Sequence, residues 1–228
     1  MSSSRIIVAL DTTEVATAQA WARAVAPHCG MFKLGLAFFL ANGAAGFRAI
    51  TGRPVFLDLK LHDIPTTVAG AVRAVLPLRP RMLTVHASGD GAMIQAARAA
   101  AGNAPDRPLI LGVTVLTSLD AAGLQAIGVT DPPQVQVLRL ARLALANGAD
   151  GVVCSPLETA MLREALGRGP LLVVPGIRPA GAARDDQARV MTPQQAITAG
   201  ADWIVVGRPI TGAADPVAAA AAIDAEAR

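Results

Sequence analysis

Three charged side chains, Asp58, Lys60 and Asp63, fall close together at the end of one apolar segment. The segment begins at Val55 as an apolar run that is typical of a buried strand. Side chains alternate along a strand, so Asp58 and Lys60 share one face, and Pro65 cannot continue a central strand. Because buried charges are costly unless they pair, and because such clusters concentrate at active sites, the pattern predicts a catalytic centre. The alternative is a structural ion-pair network that closes one end of the core.

The rest of the chain repeats one pattern, in which a helix follows a short apolar strand. The predicted strands are Arg5–Leu10, Cys29–Gly35, the segment from Val55, Met82–His86, Leu109–Val115, Gly151–Cys154, Leu171–Val174 and Trp203–Val206. Eight such units in roughly 200–250 residues predict an α/β fold, a single (β/α)8 TIM barrel. No linker interrupts residues 1–228, so we expect one domain. An open doubly wound sheet is the alternative, but no G-x-G-x-x-G motif follows the first strand.

Helix limits follow from apolar spacing and from capping residues. The predicted helices include Glu14–Ala26, Thr67–Leu76, Gly91–Ala101 and Gln134–Ala146. Ser155–Glu158 and Thr192–Gln195 each show the capping-box pattern, with Pro at the first helical position. The triplet Gly-Ala-Asp occurs at 148–150 and again at 200–202, before the sixth and eighth strands, as expected of repeated βα units.

Polar side chains lie at the carboxyl ends of the predicted strands, where the active site of such a barrel is found. They are Asp11, Lys33, Asp58, Lys60, His86, Thr117, Arg178 and Arg208. Gly207 lets a backbone N–H approach a phosphate, and Arg208 supplies a bidentate fork for the phosphate oxygens. The loop Pro175–Arg189 is predicted to close over that phosphate, with Arg178 and Gln187 as contacts. An ordinary solvated loop is the alternative.

Composition argues against several classes of partner. Hydrophobic residues make up 53% of the chain, yet no apolar run approaches the roughly 18–20 residues of a membrane span. Met1–Arg5 leads directly into a strand without a signal peptide, so we expect a cytoplasmic protein. The net charge of +3 and the 3% aromatic content disfavour a nucleic-acid surface. Cys29 and Cys154 are expected to be reduced core thiols.

The histidines give no metal motif, since neither H-x-H nor H-E-x-x-H occurs. The strand period turns His62 away from the face shared by Asp58 and Lys60. His86 is expected to support the site by hydrogen bonding. No metal is therefore predicted.

Several motifs together resemble the orotidine 5′-phosphate decarboxylase family. The central one is Asp58-x-Lys60-x-x-Asp63, extended by Ile64, Pro65, Thr66 and Thr67. The others are Ala9–Asp11, Phe32–Gly35, His86–Gly89, Leu116–Leu119, Pro175–Arg178, Asp186–Arg189 and Val206–Pro209. The resemblance covers nearly the whole chain, and Asp90 departs from it where the family has a second glycine.

The resemblance implies decarboxylation of orotidine 5′-monophosphate to uridine 5′-monophosphate, the last step of pyrimidine nucleotide synthesis, without metal or organic cofactor. It implies that Lys60 donates a proton to C6 of the pyrimidine and that Asp58 lies near the substrate carboxylate. Lys33 would hold Asp58 and the ribose in place, and Asp11 would contact the ribose hydroxyls. Asp63 completes the implied catalytic set.

The resemblance also implies a wider substrate-binding set and a homodimer. The substrate-binding residues are Asp11, Lys33, Asp58, Leu59, Lys60, Leu61, His62, Asp63, Ile64, Pro65, Thr66, Thr67, Thr117, Arg178, Gln187, Gly207 and Arg208. Asp63, Ile64 and Thr67 would reach across the dimer interface into the neighbour's site, so that each of two sites is shared.

Two alternatives to this function remain. Magnesium-dependent relatives, such as 3-keto-L-gulonate 6-phosphate decarboxylase and hexulose-phosphate synthase, share D-x-K-x-x-D and carry a carboxylate ligand after the second strand. Lys33 stands at that place here and opposes a metal. A catalytically silent barrel that only binds a nucleotide or a protein would have lost Lys60 or Asp58, and both are present.

Overall fold

In the computed structural model, which describes residues 4–179 and 191–228, eight parallel strands close into a barrel in chain order. They are β1 (Ile6–Ala9), β2 (Met31–Gly35), β3 (Val55–Leu61), β4 (Met82–His86), β5 (Leu109–Val113), β6 (Gly151–Val153), β7 (Leu171–Val174) and β8 (Trp203–Val206). Each neighbouring pair is parallel, and β8 pairs with β1. All carboxyl ends therefore lie at one end of the barrel. The predicted (β/α)8 barrel is confirmed, and the open sheet was the wrong alternative.

Helices join the strands over the outside of the barrel. Within the described residues they are α1 (Val15–Val25), α2 (Leu36–Ala49), α3 (Pro65–Val75), α4 (Asp90–Ala101), α5 (Ala121–Ala126), α6 (Pro133–Ala146), α7 (Thr159–Leu166), α8 (Pro193–Thr198), α9 (Arg208–Thr211) and α10 (Pro216–Glu226). Short 3-10 turns cover Ala26–His28, Leu76–Leu78, Ala87–Gly89 and Pro156–Glu158. None of these helices is long and apolar enough to cross a membrane.

Some predicted boundaries were wrong by one or two residues. Helix α3 begins at Pro65 rather than Thr67, because the fixed φ of proline suits the first helical position. Strand β5 ends at Val113 rather than Val115. Both capping boxes are present, with Ser155 pairing with Glu158 and Thr192 with Gln195.

Alternation along the strands divides the core into two layers. Ile7 and Ala9 of β1 face the barrel interior, where they join a small apolar cluster. Ile6 and Val8 face outward and pack in the larger cluster between the sheet and the helices. The inner cluster fills the barrel interior, and a cavity lies above it, at the carboxyl end of the strands.

The same alternation carries charged side chains to the carboxyl end of the barrel. Asp11, Lys33 and Asp58 each lie two positions after an inward-facing apolar residue. Those apolar residues are Ala9, Met31 and Phe56. Since residues two apart on a strand share a face, the three charges stand on top of the plug and point toward the barrel axis.

The repeated Gly-Ala-Asp triplets build two equivalent braces at the opposite end of the barrel. Asp150 accepts two hydrogen bonds from Arg107, at 2.8 and 2.6 Å, and one from the Ile110 N–H. Asp202 accepts from Arg163 at 2.6 Å and from the Leu172 N–H at 2.7 Å. Each aspartate thus ties a strand to the arginine of a preceding segment, which confirms the internal similarity predicted from the sequence.

Replacing Asp150 by alanine should lower the free energy of unfolding by about 2 kcal/mol, because Arg107 and the Ile110 N–H lose a charged partner. The matched control is Asp131→Ala, which removes the exposed ion pair with Arg139 and should cost less than about 0.5 kcal/mol. Urea unfolding measures both values. Equal losses in the two variants would contradict a bracing role for Asp150.

Candidate active site

A cavity of about 350 Å³ opens at the carboxyl end of the barrel. Its polar wall contains most of the residues predicted to lie at the strand ends. They are Asp11, Lys33, Asp58, Lys60, Thr117, Arg178, Gly207 and Arg208. The volume lies within the range of small-molecule sites, and strands remote in sequence supply its residues. The predicted convergence of these side chains is therefore observed in the fold.

Asp11, Lys33, Asp58 and Lys60 form a chain of alternating charges along one side of this cavity. Lys33 Nζ lies 2.9 Å from Asp11 Oδ1 and 3.7 Å from Asp58 Oδ2. Lys60 Nζ lies 2.8 Å from the same Asp58 oxygen. Asp58 thus stands between two ammonium groups, and the chain brings two carboxylates and two cations into contact.

Burial separates the inner members of this chain from the outer ones. The Lys33 and Asp58 side chains are 11% and 12% exposed, whereas the Asp11 side chain is 62% exposed. Burial alone would raise the pKa of the Asp58 carboxyl. The charges of Lys33 and Lys60, with hydrogen bonds from Lys60 and Thr84, outweigh burial and lower that pKa below its usual value. Asp58 is therefore a carboxylate at neutral pH.

Lys60 is held in a backbone conformation that its sequence does not favour. Its φ is +50°, in the left-handed region, which costs a non-glycine residue about 1–2 kcal/mol. The β3–β4 pairing changes register here, between Leu57 and Leu61. Bulges of this kind redirect side chains next to active sites, and this one turns the Lys60 ammonium toward Asp58.

Arg178, Thr117, Gly207 and Arg208 occupy the rest of the polar wall. Arg178 is 8% exposed, and its N–H donates to the Met191 carbonyl at 3.0 Å. That bond joins the two described segments on either side of residues 180–190 and fixes Arg178 at the cavity. Gln187, the other predicted loop contact, lies outside the described residues.

Eight residues of the predicted substrate-binding set do not line the cavity of this chain. They are Leu59, Leu61, His62, Asp63, Ile64, Pro65, Thr66 and Thr67. Leu59 and Leu61 pack toward the helices, as alternation requires. Asp63 and Ile64 are exposed, and Asp63 accepts a hydrogen bond from the Ile64 N–H at 2.7 Å. Within one chain, residues 62–67 therefore do not line the cavity that holds the alternating charges.

His62 and His86 lie beside the site as a pair of rings whose centroids are 5.3 Å apart. Burial, together with the charges of His62 and Lys60, lowers the pKa of His86 below its usual value, and Asp58 only partly opposes this. His86 is therefore neutral at pH 7. The hydrogen bond predicted for it toward the site stays a prediction.

The apolar half of the cavity was not predicted from the sequence. Its residues are Ala9, Phe56, Val113, Val115, Leu116, Val153, Cys154, Pro175, Gly176 and Val205. Most of them could have been predicted, because every second residue of each strand faces the barrel interior. Burial raises the pKa of Cys154 to about 12, so this thiol stays protonated and is not a nucleophile. Cys29 is buried in the same way, and both thiols are free, as predicted.

Gly35 was also missed as a site residue. A Cβ on Gly35 would lie 3.2 Å from Asp11 Oδ1 and 3.3 Å from Lys33 Nζ. A larger residue would therefore crowd the ion pair between Asp11 and Lys33. The signal was its position two residues after Lys33, on the same face of β2.

Among the described residues, no group of three His, Cys, Asp or Glu side chains is placed to hold a metal ion. The carboxylates of the cavity instead face the ammonium groups of Lys33 and Lys60. The donor set thus does not suit a divalent cation, which prefers several oxygen ligands without a competing cation. The prediction that no metal is required stays a prediction.

Comparison with known proteins gives one consistent family. The model of the "Orotidine 5′-phosphate decarboxylase / HUMPS family" matches residues 4–223. A protein of Anaeromyxobacter sp. (strain K) named orotidine 5′-phosphate decarboxylase is 58% identical over 225 residues, which are 98% of both chains. One of Gluconobacter oxydans (strain 621H) with the same name is 57% identical and covers 96% of this chain and 95% of its own.

Solved structures agree with this comparison. The crystal structure of orotidine 5′-phosphate decarboxylase from Lactobacillus acidophilus has a TM-score of 0.85 at 39% identity and covers 99% of both chains. That from Pyrococcus horikoshii OT3 has a TM-score of 0.79 at 27% identity, over 98% of this chain and 99% of its own. Sequence and fold therefore match over nearly the full length.

Proposed function

This chain is an enzyme of the orotidine 5′-phosphate decarboxylase / HUMPS family, and we propose that it converts orotidine 5′-monophosphate to uridine 5′-monophosphate and carbon dioxide. This reaction is the last step of pyrimidine nucleotide synthesis. We place the enzyme in the cytoplasm. The observation that carries the proposal is the chain of alternating charges on the wall of a partly apolar cavity. An apolar side suits a pyrimidine ring, and the charges suit a reaction that creates and then quenches a carbanion.

The proposed chemistry needs one proton and no redox partner. The bond between C6 and the carboxylate carbon breaks, carbon dioxide leaves, and the electron pair remains on C6. The Lys60 ammonium stabilises that negative charge and then donates a proton to C6. The resulting neutral amine regains a proton from water. No metal or organic cofactor is required for this sequence of steps.

The carboxylates and Lys33 have supporting roles in this proposal. Asp58 would lie near the substrate carboxylate, and their like-charge contact would be relieved as carbon dioxide departs. Lys33, within 3.7 Å of Asp58 and 2.9 Å of Asp11, would hold Asp58 in place and contact the ribose. Asp11, the most exposed of the four, would accept hydrogen bonds from the ribose hydroxyls.

The phosphate would bind at the part of the cavity wall that follows β7 and β8. Gly207 offers a backbone N–H, and Arg208 and Arg178 offer guanidinium groups on the same wall. We assign Gln187 to the phosphate and Thr117 to the base. Because the phosphate is remote from the bond that breaks, its binding energy can be used to assemble the site around the transition state.

Lys33 also argues against the magnesium-dependent relatives. In those enzymes a carboxylate after the second strand is a metal ligand, whereas this chain places an ammonium there. A divalent cation among Asp11, Asp58 and Lys33 would meet like charge at short range. Decarboxylation without a metal is therefore the better assignment.

We further propose a homodimer in which Asp63, Ile64 and Thr67 complete the neighbour's site. These residues are exposed in one chain, and Ile64 is 64% exposed. Leu36 and Leu40 on α2 are also exposed. Exposed aliphatic residues on α2 and in the segment after β3 suit a contact between copies better than permanent contact with water.

The direct test follows ultraviolet absorbance while purified protein acts on orotidine 5′-monophosphate in excess EDTA. A rapid change to the spectrum of uridine 5′-monophosphate is expected. Absence of any change in EDTA, with activity on a sugar phosphate once magnesium is restored, would overturn both the reaction and the interpretation of Lys33.

A further inference from the structure

The bulge in β3 leaves a backbone group that the strand ladder does not satisfy. Leu57 pairs with Leu83 and Leu61 with Val85, so residues 58–60 of β3 face only Thr84 of β4. A buried N–H in such a bulge needs another partner. The Lys60 N–H finds it in the side chain of Thr84, at 2.8 Å from Oγ1.

The same hydroxyl also holds the buried carboxylate. Thr84 Oγ1 donates to Asp58 Oδ1 at 3.0 Å, and Thr84 is fully buried. A hydroxyl has one proton to donate and lone pairs to accept, so both bonds form at once without conflict. The ionised Asp58 can only accept, which fixes the direction of the two bonds.

The bonds close a ring that includes the ammonium group. Thr84 holds the Lys60 backbone and Asp58 Oδ1, while Asp58 Oδ2 holds Lys60 Nζ at 2.8 Å. Both ends of the lysine are thus tied to one hydroxyl, directly at the backbone and through Asp58 at Nζ. Thr84 does not line the cavity, so any effect on catalysis passes through its two partners.

We propose that Thr84 is a positioning residue that keeps Lys60 in its left-handed conformation and keeps its ammonium aimed at the reacting carbon. The inference rests on the proposed function, since it assigns a role within that reaction. Displacement of a reacting group by about 1 Å can cost on the order of 10²-fold in rate. Loss of a hydroxyl that fixes both ends of Lys60 can therefore lower the rate by this amount, although the hydroxyl does not touch the substrate.

The test compares Thr84→Val, which keeps the shape and removes the hydroxyl, with Thr84→Ser, which keeps the hydroxyl. In Thr84→Val, kcat should fall by about 10- to 100-fold, while KM and the Kd for uridine 5′-monophosphate, measured by calorimetry, stay within about 3-fold. Thr84→Ser should retain kcat within about 3-fold of wild type. If Thr84→Val does not fold, Thr84→Ala replaces it, since alanine also removes the hydroxyl and leaves only a small cavity. The same fall in kcat is expected.

The matched control is Thr159→Val. Thr159 is equally buried, but its hydroxyl donates to the Ser155 carbonyl and contacts the Cys154 thiol, and neither partner belongs to the chain of alternating charges. Its kcat should be unchanged. Wild-type kcat in Thr84→Val, or a loss that Thr84→Ser does not restore, would overturn the role of Thr84. Failure of the wild-type protein itself to decarboxylate orotidine 5′-monophosphate would instead overturn the proposed function.

Discussion

Replacing Lys60 by alanine is expected to abolish decarboxylation while nucleotide binding remains measurable. The variant loses both the proton donor and the cation that stabilises the carbanion, so kcat should fall by about 10⁴-fold or more. Binding should survive because the groups assigned to the phosphate and ribose, Arg208 and Asp11 among them, lie elsewhere on the cavity wall. Single-turnover absorbance measures the rate, and calorimetry with uridine 5′-monophosphate measures the affinity.

A second variant separates charge from proton transfer. Lys60→Arg keeps a cation near Asp58, but a guanidinium does not give up its proton at neutral pH. It should therefore bind the product and remain almost inactive. Arg139→Ala, at an exposed ion pair remote from the cavity, is the control and should turn over normally. Wild-type turnover in Lys60→Ala would remove Lys60 from the mechanism.

The inward face of β3 shows what alternation alone can predict. Phe56 and Asp58 share that face, and Leu57 and Leu59 pack toward the helices, as the spacing of two required. The barrel fold could be predicted equally well, because few folds accommodate eight apolar strands separated by helical patterns. These features depend on local periodicity, which a sequence displays directly.

The left-handed backbone of Lys60 could not be predicted in the same way. Its φ of +50° depends on a bulge, and the bulge depends on how β3 pairs with β4. The role of Thr84 follows from that pairing, since its hydroxyl matters only because it faces the bulge. Such contacts between strands join residues far apart in sequence, and no periodic pattern in the sequence indicates them.

Residues 63–67 show a second feature that periodicity in one chain does not predict. The resemblance implies that Asp63, Ile64 and Thr67 reach the site of a neighbouring chain, and in one chain they are exposed and do not line the cavity. No periodicity within one chain can locate a residue in the site of another chain. We expect these residues to serve a neighbouring site, and mixing two variants tests this.

Mixing Lys60→Ala with Asp63→Ala is expected to restore activity that neither variant has alone. In a mixed dimer, one site combines the intact Lys60 of one subunit with the intact Asp63 of the other. The second site carries both substitutions. Random exchange of subunits in a twofold dimer makes about a quarter of all sites intact, so about 25% of wild-type activity should appear. The rate is followed by absorbance after co-refolding of the two variants.

The control mixture pairs Lys60→Ala with Lys33→Ala. Lys33 and Lys60 contact the same Asp58 within one chain, at 3.7 and 2.8 Å, so no exchange of subunits can reunite them. This mixture should stay inactive. Recovery in the first mixture alone therefore requires that Asp63 acts across a subunit boundary. Equal inactivity of both mixtures, with dimers present by light scattering, would instead confine each site to a single chain and leave the exposed segment from Asp63 to Thr67 without a catalytic role.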